Sequence, residues 1–291
     1  MHDAALARHS GNRIVDRVPP HAFFVISAVF HYLGPAFAVL LFAYVAPLGV
    51  AWLRIASAAA FFAIWRKPWR YLAACSAQER YLVIALGLVL AAMNSVFYEA
   101  IARLPLGTVG AIEFLGPIGL AAAGLRTRRN LAALVAAAAG VYLLTDVRIA
   151  GEPLGYLFAF ANCALFVLYI VLGHRIAADG GARGIDRLAA AMLIAAVFAF
   201  PLGIADARPA LTDPWLAGAA VGVGISSSVI PYICDQLAMA RLARATFALM
   251  LSLLPATATL IGVVVLRQVP SPIEIAAIAL VIVGVALHRR D

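Results

Sequence analysis

Apolar runs of 17 or more residues recur along the whole of this chain. Each is about long enough to cross a hydrocarbon core of roughly 30 Å. Inside a bilayer no water satisfies backbone N–H and C=O groups, so spanning segments must be helices or strands of a closed barrel. Barrel strands would read as segments of about ten residues with alternating polarity, and none are visible. The expected fold is therefore an all-α integral membrane protein. The composition agrees: 65% of residues are hydrophobic and 12% charged, where soluble domains are about a quarter charged. Ten spans fit the runs, at residues 21–45, 48–65, 80–101, 105–125, 130–146, 153–174, 186–205, 214–237, 243–266 and 272–288. Pro47, Pro105, Pro153, Pro214 and Pro272 lie at or near span beginnings, where a missing N–H costs least.

The ten spans divide into two copies of five. Residues 102–117 read ARLPLGTVGAIEFLGP and residues 240–255 read ARLARATFALMLSLLP. Ala102, Arg103, Leu104, Thr108 and Pro117 match Ala240, Arg241, Leu242, Thr246 and Pro255 at one constant offset. Each stretch joins two spans, and five spans separate the copies. An odd number places the copies on opposite sides of the membrane. Inverted repeats of this kind give many secondary transporters two interconvertible states around one central site. The expected organisation is a tail at 1–20, a first five-helix repeat at 21–146 and a second at 147–291.

The net charge of +8 could point to nucleic acid, but the basic residues sit in short loops and at the ends of the chain. With the N-terminus inside, seventeen Arg and Lys fall on the inner side and four, Arg103, Arg148, Arg208 and Arg267, on the outer. Short-loop Arg and Lys stay cytoplasmic, so both termini are expected in the cytoplasm of a bacterial cell, with the chain in its inner membrane. No small-residue cleavage site follows a short apolar core near the start, which reads as an uncleaved tail. Cys75, Cys163 and Cys234 are few and far apart, and make no disulfide framework or metal spacing.

Charges inside spans are rare and usually face a cavity or a partner. Arg54 lies about 10 Å below the outer surface and Glu113 about 12 Å, at a rise of 1.5 Å per residue. Matched depth and opposite sign make them expected partners, with Glu99 a competitor for Arg54 and Asp235 near the inner end of the eighth span. The alternatives are a structural ion pair and, for Glu99, a capping role at the interface. Uncharged polar residues fall on single helix faces: Asn94 and Tyr98 on the third span, Asn162, Phe166 and Tyr169 on the sixth, and Ser228, Tyr232 and Asp235 on the eighth. Together they suit the lining of a cavity for an amphiphilic solute, although interhelical hydrogen bonding alone produces such stripes. The third, fourth, sixth, eighth and ninth spans are expected around it, with the first contributing and the fifth and tenth outside. His31, Gly34 and Pro35 interrupt the first span, Ser226 to Ser228 and Pro231 the eighth, and Pro117 and Pro255 the fourth and ninth. Interruptions amid polar residues mark transporter sites and hinges. Gly218 and Gly222 form a G-x-x-x-G, expected to pack closely against a neighbouring helix.

No phosphate-binding G-x-x-x-x-G-K-[ST] and no H-E-x-x-H occur, so nothing points to nucleotide, metal or other cofactor. Gly224-Ile225-Ser226-Ser227 superficially resembles an intramembrane serine-protease motif, but no His lies inside any later span to act as its base. An enzyme is not expected. The competing reading is a non-transporting membrane receptor or assembly subunit.

Two stretches carry a resemblance. Tyr98-Glu99-Ala100-Ile101-Ala102-Arg103-Leu104-Pro105-Leu106-Gly107 with Glu113-Phe114-Leu115-Gly116-Pro117 is one. Pro231-Tyr232, Asp235, Ala240-Arg241-Leu242 and Leu251-Ser252-Leu253-Leu254-Pro255 make the other. The chain resembles the EamA-type drug/metabolite transporters, over residues 21–288. The resemblance implies ten helices in two inverted repeats and export of small metabolites, amino acids of the threonine/homoserine type in particular, with protons as a further candidate partner. It also leads one to expect Glu where this chain has Asp235.

Overall fold

The computed structural model describes residues 18–116, 128–146, 152–177, 181–242 and 253–287. Among them there is no strand. The helices are α1 Pro20–Leu41, α2 Pro47–Arg66, α3 Pro68–Ala74, α4 Ala77–Ile101, α5 Leu106–Glu113, α6 Arg128–Asp146, α7 Pro153–Ala177, α8 Gly181–Gly203, α9 Arg208–Thr212, α10 Pro214–Gly224, α11 Ile230–Met239, α12 Leu253–Leu266 and α13 Pro272–Leu287. Between α10 and α11 the chain continues through one π turn, Ile225–Val229. Among the described residues six helices are long and apolar enough to cross a membrane: α1, α2, α4, α7, α8 and the α10–α11 rod. Shorter apolar helices run at Leu131–Gly140, Leu254–Leu266 and Pro272–Gly284. The fourth expected span is described only as far as residue 116, and Pro117 lies outside the described residues, as do Arg244 and Thr246.

Local chemistry sets the helix ends. Ser76 and Glu79 form a reciprocal capping box at the start of α4, which satisfies two orphan N–H groups. Asp213 accepts from Trp215 and Leu216 N–H at the start of α10. Pro105 leaves α5 without a capping side chain of its own. The Leu106 N–H instead donates to Gln268 Oε1 at 3.0 Å, from the loop between α12 and α13.

Helix pairing follows a simple order. α4 packs on α7, α1 on the α10–α11 rod, α2 on α8, and α6 on α13. α8 also meets α4, and α2 meets α10 and the π turn; α12 meets α1 and α5, and α5 meets α7. The α6–α13 pair stands to one side, as expected of the fifth and tenth spans, and reaches the rest mainly through α5 and α12. Large apolar side chains such as Ile64, Trp215, Leu260 and Val264 face outward. A water-soluble monomer rarely carries so much exposed apolar surface, whereas acyl chains solvate it.

Two local expectations need correction. α1 runs unbroken through Gly34 and Pro35; Pro255 lies in the described part of α12, and residues 243–252 before it lie outside the described residues. Gly218 and Gly222 pack against nothing: a Cβ built at either meets no atom within 4 Å. α10 buries Leu216, Ala220, Val223 and Gly224, so the G-x-x-x-G lies on its outward face. Glycines that do permit close approach include Gly34, whose built Cβ would stand 2.3 Å from Ser227 Cβ, and Gly224, at 2.6 Å from Ser57 Cβ.

Candidate functional site

Among the described residues the largest fully buried side chains are Tyr32, Tyr98 and Tyr232. They come from α1, α4 and α11 and mark a polar column within an otherwise apolar bundle. Three groups lie along this column.

The first centres on Arg54 of α2, which is buried. Its Nε donates to Ser228 Oγ at 2.7 Å and its Nη2 to the Ser227 carbonyl at 2.6 Å. Its guanidinium carbon lies 5.4 Å from the Tyr98 ring centroid, within cation–π range. The π turn supplies the carbonyl: widening from i→i+4 to i→i+5 bonding disturbs the helical ladder, and the guanidinium completes the Ser227 oxygen. Ser227 Oγ bonds back to Val223 O at 2.5 Å, and Asn94 Nδ2 donates to Leu90 O at 2.7 Å.

The second group centres on Glu113, the last residue of α5. Tyr32 donates its hydroxyl to Oε2 at 3.1 Å and Asn162 donates Nδ2 to Oε1 at 3.0 Å. His31 Nε2 stands 4.0 Å from Oε2. Asn162 Oδ1 has no partner among the described residues.

The third group lies toward the end of the bundle where α1 and α12 begin and α11 ends. Ser27 donates to Asp235 Oδ1 at 2.5 Å. The Tyr169 ring stacks on Phe166 with centroids 5.9 Å apart and lies 5.6 Å from Tyr232. A small cavity of about 20 Å³ opens here, lined by Phe24, Ser27, Ala28, His31, Phe166, Tyr169, Ile170, Asp235, Met239 and Leu254. It has room for about one water molecule.

The six uncharged side chains read from the sequence, Asn94, Tyr98, Asn162, Tyr169, Ser228 and Tyr232, are all buried in this column. None faces lipid. No direct ion pair forms: among the described residues Arg54 is in salt-bridge contact with neither Glu113 nor Glu99, although Arg54 and Glu113 feel each other electrostatically. Two neutral oxygens and a tyrosine face satisfy the guanidinium instead. Glu99 lies outside the column and pairs with Arg103 one turn later on the same chain segment, while Arg103 also covers the Phe158 ring. An i,i+4 partner costs no rearrangement, so it outcompetes a distant one. Sequence reasoning overlooked Ser27 and Tyr32. The spacing of Ser27 and His31, i and i+4 on an apolar helix, was the available signal.

Away from the column, two ion pairs tie α8 to its neighbours. Arg66 meets Asp186 at 2.6 Å and Arg187 meets Glu79 at 2.7 Å. Arg187 also donates to Tyr71 Oη at 3.2 Å and to the Ile176 carbonyl at 2.9 Å. Burial pushes the Tyr71 hydroxyl above its ordinary value, with Arg187 acting against it. Among the described residues no three His, Cys, Asp or Glu are placed to hold a metal ion.

The model of the EamA-like transporter family matches residues 153–289. The chain is similar to the threonine/homoserine exporter RhtA of Escherichia coli (strain K12), at 30% identity over 256 residues, 86% of this chain and 84% of that protein. It is equally similar to the protein of the same name from Salmonella typhimurium (strain LT2), at 30% over 255 residues with the same coverage. Among the solved structures that match, one crystal structure has a TM-score of 0.61 at 21% identity, covering 91% of this chain and 95% of the other. That likeness is one of fold.

Proposed function

The chain belongs to the EamA-like transporter family, and from that premise we propose that it is a secondary transporter exporting small amino acids of the threonine/homoserine type across the bacterial inner membrane. One observation carries the reading most. The buried column holds a fixed cation, Arg54, and two carboxylates, Glu113 and Asp235, none of them ion-paired with another. Unpaired buried charge is costly. A zwitterion, with one charge of each sign, offsets that cost on binding, and a small amino acid is such a molecule. Arg54, Glu113, Asn94, Tyr98, Asn162, Tyr169, Ser228, Tyr232 and Asp235 form the pathway in this account, while Glu99 anchors its outer end.

The mechanism is alternating access by two inverted five-helix repeats, residues 21–146 and 147–291. Packing supports it. Exchanging the first five spans for the second five turns α4–α7 into α1 against the α10–α11 rod, and α4–α8 into α2 against that rod. The α2–α8, α6–α13 and α5–α12 pairs map onto themselves. Under this exchange the site lies at the repeat interface, where transporter sites occur. Both termini are cytoplasmic by the distribution of Arg and Lys. The cavity near Asp235 holds only about one water, so the site is contracted around it.

Counterflow in proteoliposomes against a panel of amino acids, with and without a pH gradient, tests the reading. Saturable exchange of threonine or homoserine is expected. Correctly inserted protein with no flux of any panel member would point to a receptor or assembly subunit instead.

A further inference from the structure

Resting on the exporter reading, we propose that Asp235, Ser27 and Tyr169 form the subsite that takes the ammonium group of the transported molecule. Asp235 is buried on α11, and among the described residues its one hydrogen bond is from the neutral Ser27 hydroxyl. No cation among the described residues pairs with it. Among the described residues no Arg or Lys acts on it; burial and the Ser27 hydroxyl do. Glu113 differs, since two donors and a histidine edge already surround it.

A second observation is independent of the carboxylate. The Tyr169 hydroxyl is buried and has no hydrogen-bond partner among the described residues. Tyr169 lines the same small cavity as Asp235 and Ser27, and the carboxylate and hydroxyl feel each other electrostatically. An unsatisfied buried hydroxyl is costly. An –NH3+ group has three donors, is about the size of the water the cavity admits, and can serve Asp235, Ser27 and Tyr169 oxygens together. The Phe166–Tyr169 stack offers π faces to the same cation. The rest of the lining is His31 with the apolar Phe24, Ala28, Ile170, Met239 and Leu254, and the apolar part suits a short aliphatic side chain. The cavity lies at the inner end by the Arg and Lys distribution, so the ammonium is captured from the cytoplasm. The cavity admits only about one water, so side chains of its lining must move to admit the remainder of the molecule.

The subsite therefore reads the amine rather than the carboxylate. Saturation-transfer NMR on the purified full chain in detergent tests this with 1-amino-2-propanol, which is threonine without its carboxyl, and 3-hydroxybutanoate, which is threonine without its amine. The amine is expected to show saturation transfer that threonine displaces, and the acid none. Asp235→Asn is expected to lower amine affinity at least tenfold, Asp235→Glu to restore part of it, and Tyr169→Phe to lower it severalfold. Gly222→Ala serves as the control. Equal transfer to both probes, or amine binding unchanged in both Asp235→Asn and Tyr169→Phe, overturns the proposal. Chromatographic monodispersity identifies a variant that has not folded, in which case the wild-type comparison of the two probes decides. Because no flux is measured, this outcome is separate from that of the counterflow assay: a wild type that binds the amine but moves no amino acid would sink the exporter reading and leave the subsite standing.

Discussion

Gly34→Ala is the sharpest perturbation of the contact between α1 and the π turn. The new Cβ would lie 2.3 Å from Ser227 Cβ, 2.6 Å from its Cα and 2.7 Å from its N. Carbon atoms in contact sit about 3.5–4.0 Å apart, so α1 must retreat by roughly 1 Å. Backbone atoms cannot swing aside as a side-chain tip could. Overpacking of this kind costs about 1–3 kcal/mol, and the helix propensity gained over glycine returns about 1 kcal/mol, leaving a net loss of up to about 2 kcal/mol. Transport should suffer more. Tyr32, which donates to Glu113, is two residues before Gly34, and Ser227, whose carbonyl accepts from Arg54, is the residue struck. A displacement of about 1 Å can cost about 10²-fold in rate. The assay pairs sodium dodecyl sulfate unfolding in mixed micelles with threonine counterflow. Gly222→Ala, where the added methyl meets nothing within 4 Å, should be as stable as wild type or slightly more so, with full counterflow. A Gly34→Ala protein that matches Gly222→Ala in both stability and rate would refute the reasoning.

Other perturbations separate pathway from scaffold. Glu113→Gln should insert normally yet weaken threonine efflux or flatten its pH dependence, because the new amide sets a donor where Asn162 and Tyr32 both donate; identical rates across a pH series would reduce Glu113 to a packing residue. Arg187→Met strips the donor from the buried end of α7 at the Ile176 carbonyl and should destabilise by about 1–3 kcal/mol in the same unfolding assay, while leaving the half-saturation concentration for threonine unchanged. Gln268→Ala removes the cap on Leu106 and should cost about 1 kcal/mol; no change in unfolding would show that another group completes that N–H.

Hydropathy made the spans legible, because their length and polarity are fixed by the bilayer and not by neighbours. The polar stripes on α4, α7 and α11 were legible for the same reason: a helix that hides polar groups from lipid must gather them on one face. Pairing was less so. Depth matched Arg54 to Glu113, but depth fixes only one coordinate, and the partner that wins is a backbone carbonyl at a π turn, which no residue type announces. The Ser226–Ser228 run with Pro231 marked where the helix is disturbed, without indicating that its carbonyl would bind a guanidinium. Glu99 was readable, since Arg103 follows at i+4. The Gly218 and Gly222 pattern misled because spacing names a face without saying whether helix or lipid lies against it. Ser27 and Tyr32 went unread because α1 is apolar on nearly every side, and their worth appears only once α5 and α11 bring carboxylates to them.

The central claim is that one buried column is opened alternately to the two sides. Reciprocal accessibility tests it most directly. With Cys75, Cys163 and Cys234 replaced, a single cysteine is placed at Met239, which lines the Asp235 cavity, or at Thr259, in the cleft of about 150 Å³ between α5, α12 and α13. Each is labelled in oriented membranes by an impermeant thiol reagent from either side, with and without threonine or homoserine. The account predicts that position 239 reacts from the cytoplasmic side and position 259 from the outside, and that substrate moves the two rates in opposite directions. Rates that rise or fall together, or that ignore substrate, would contradict it.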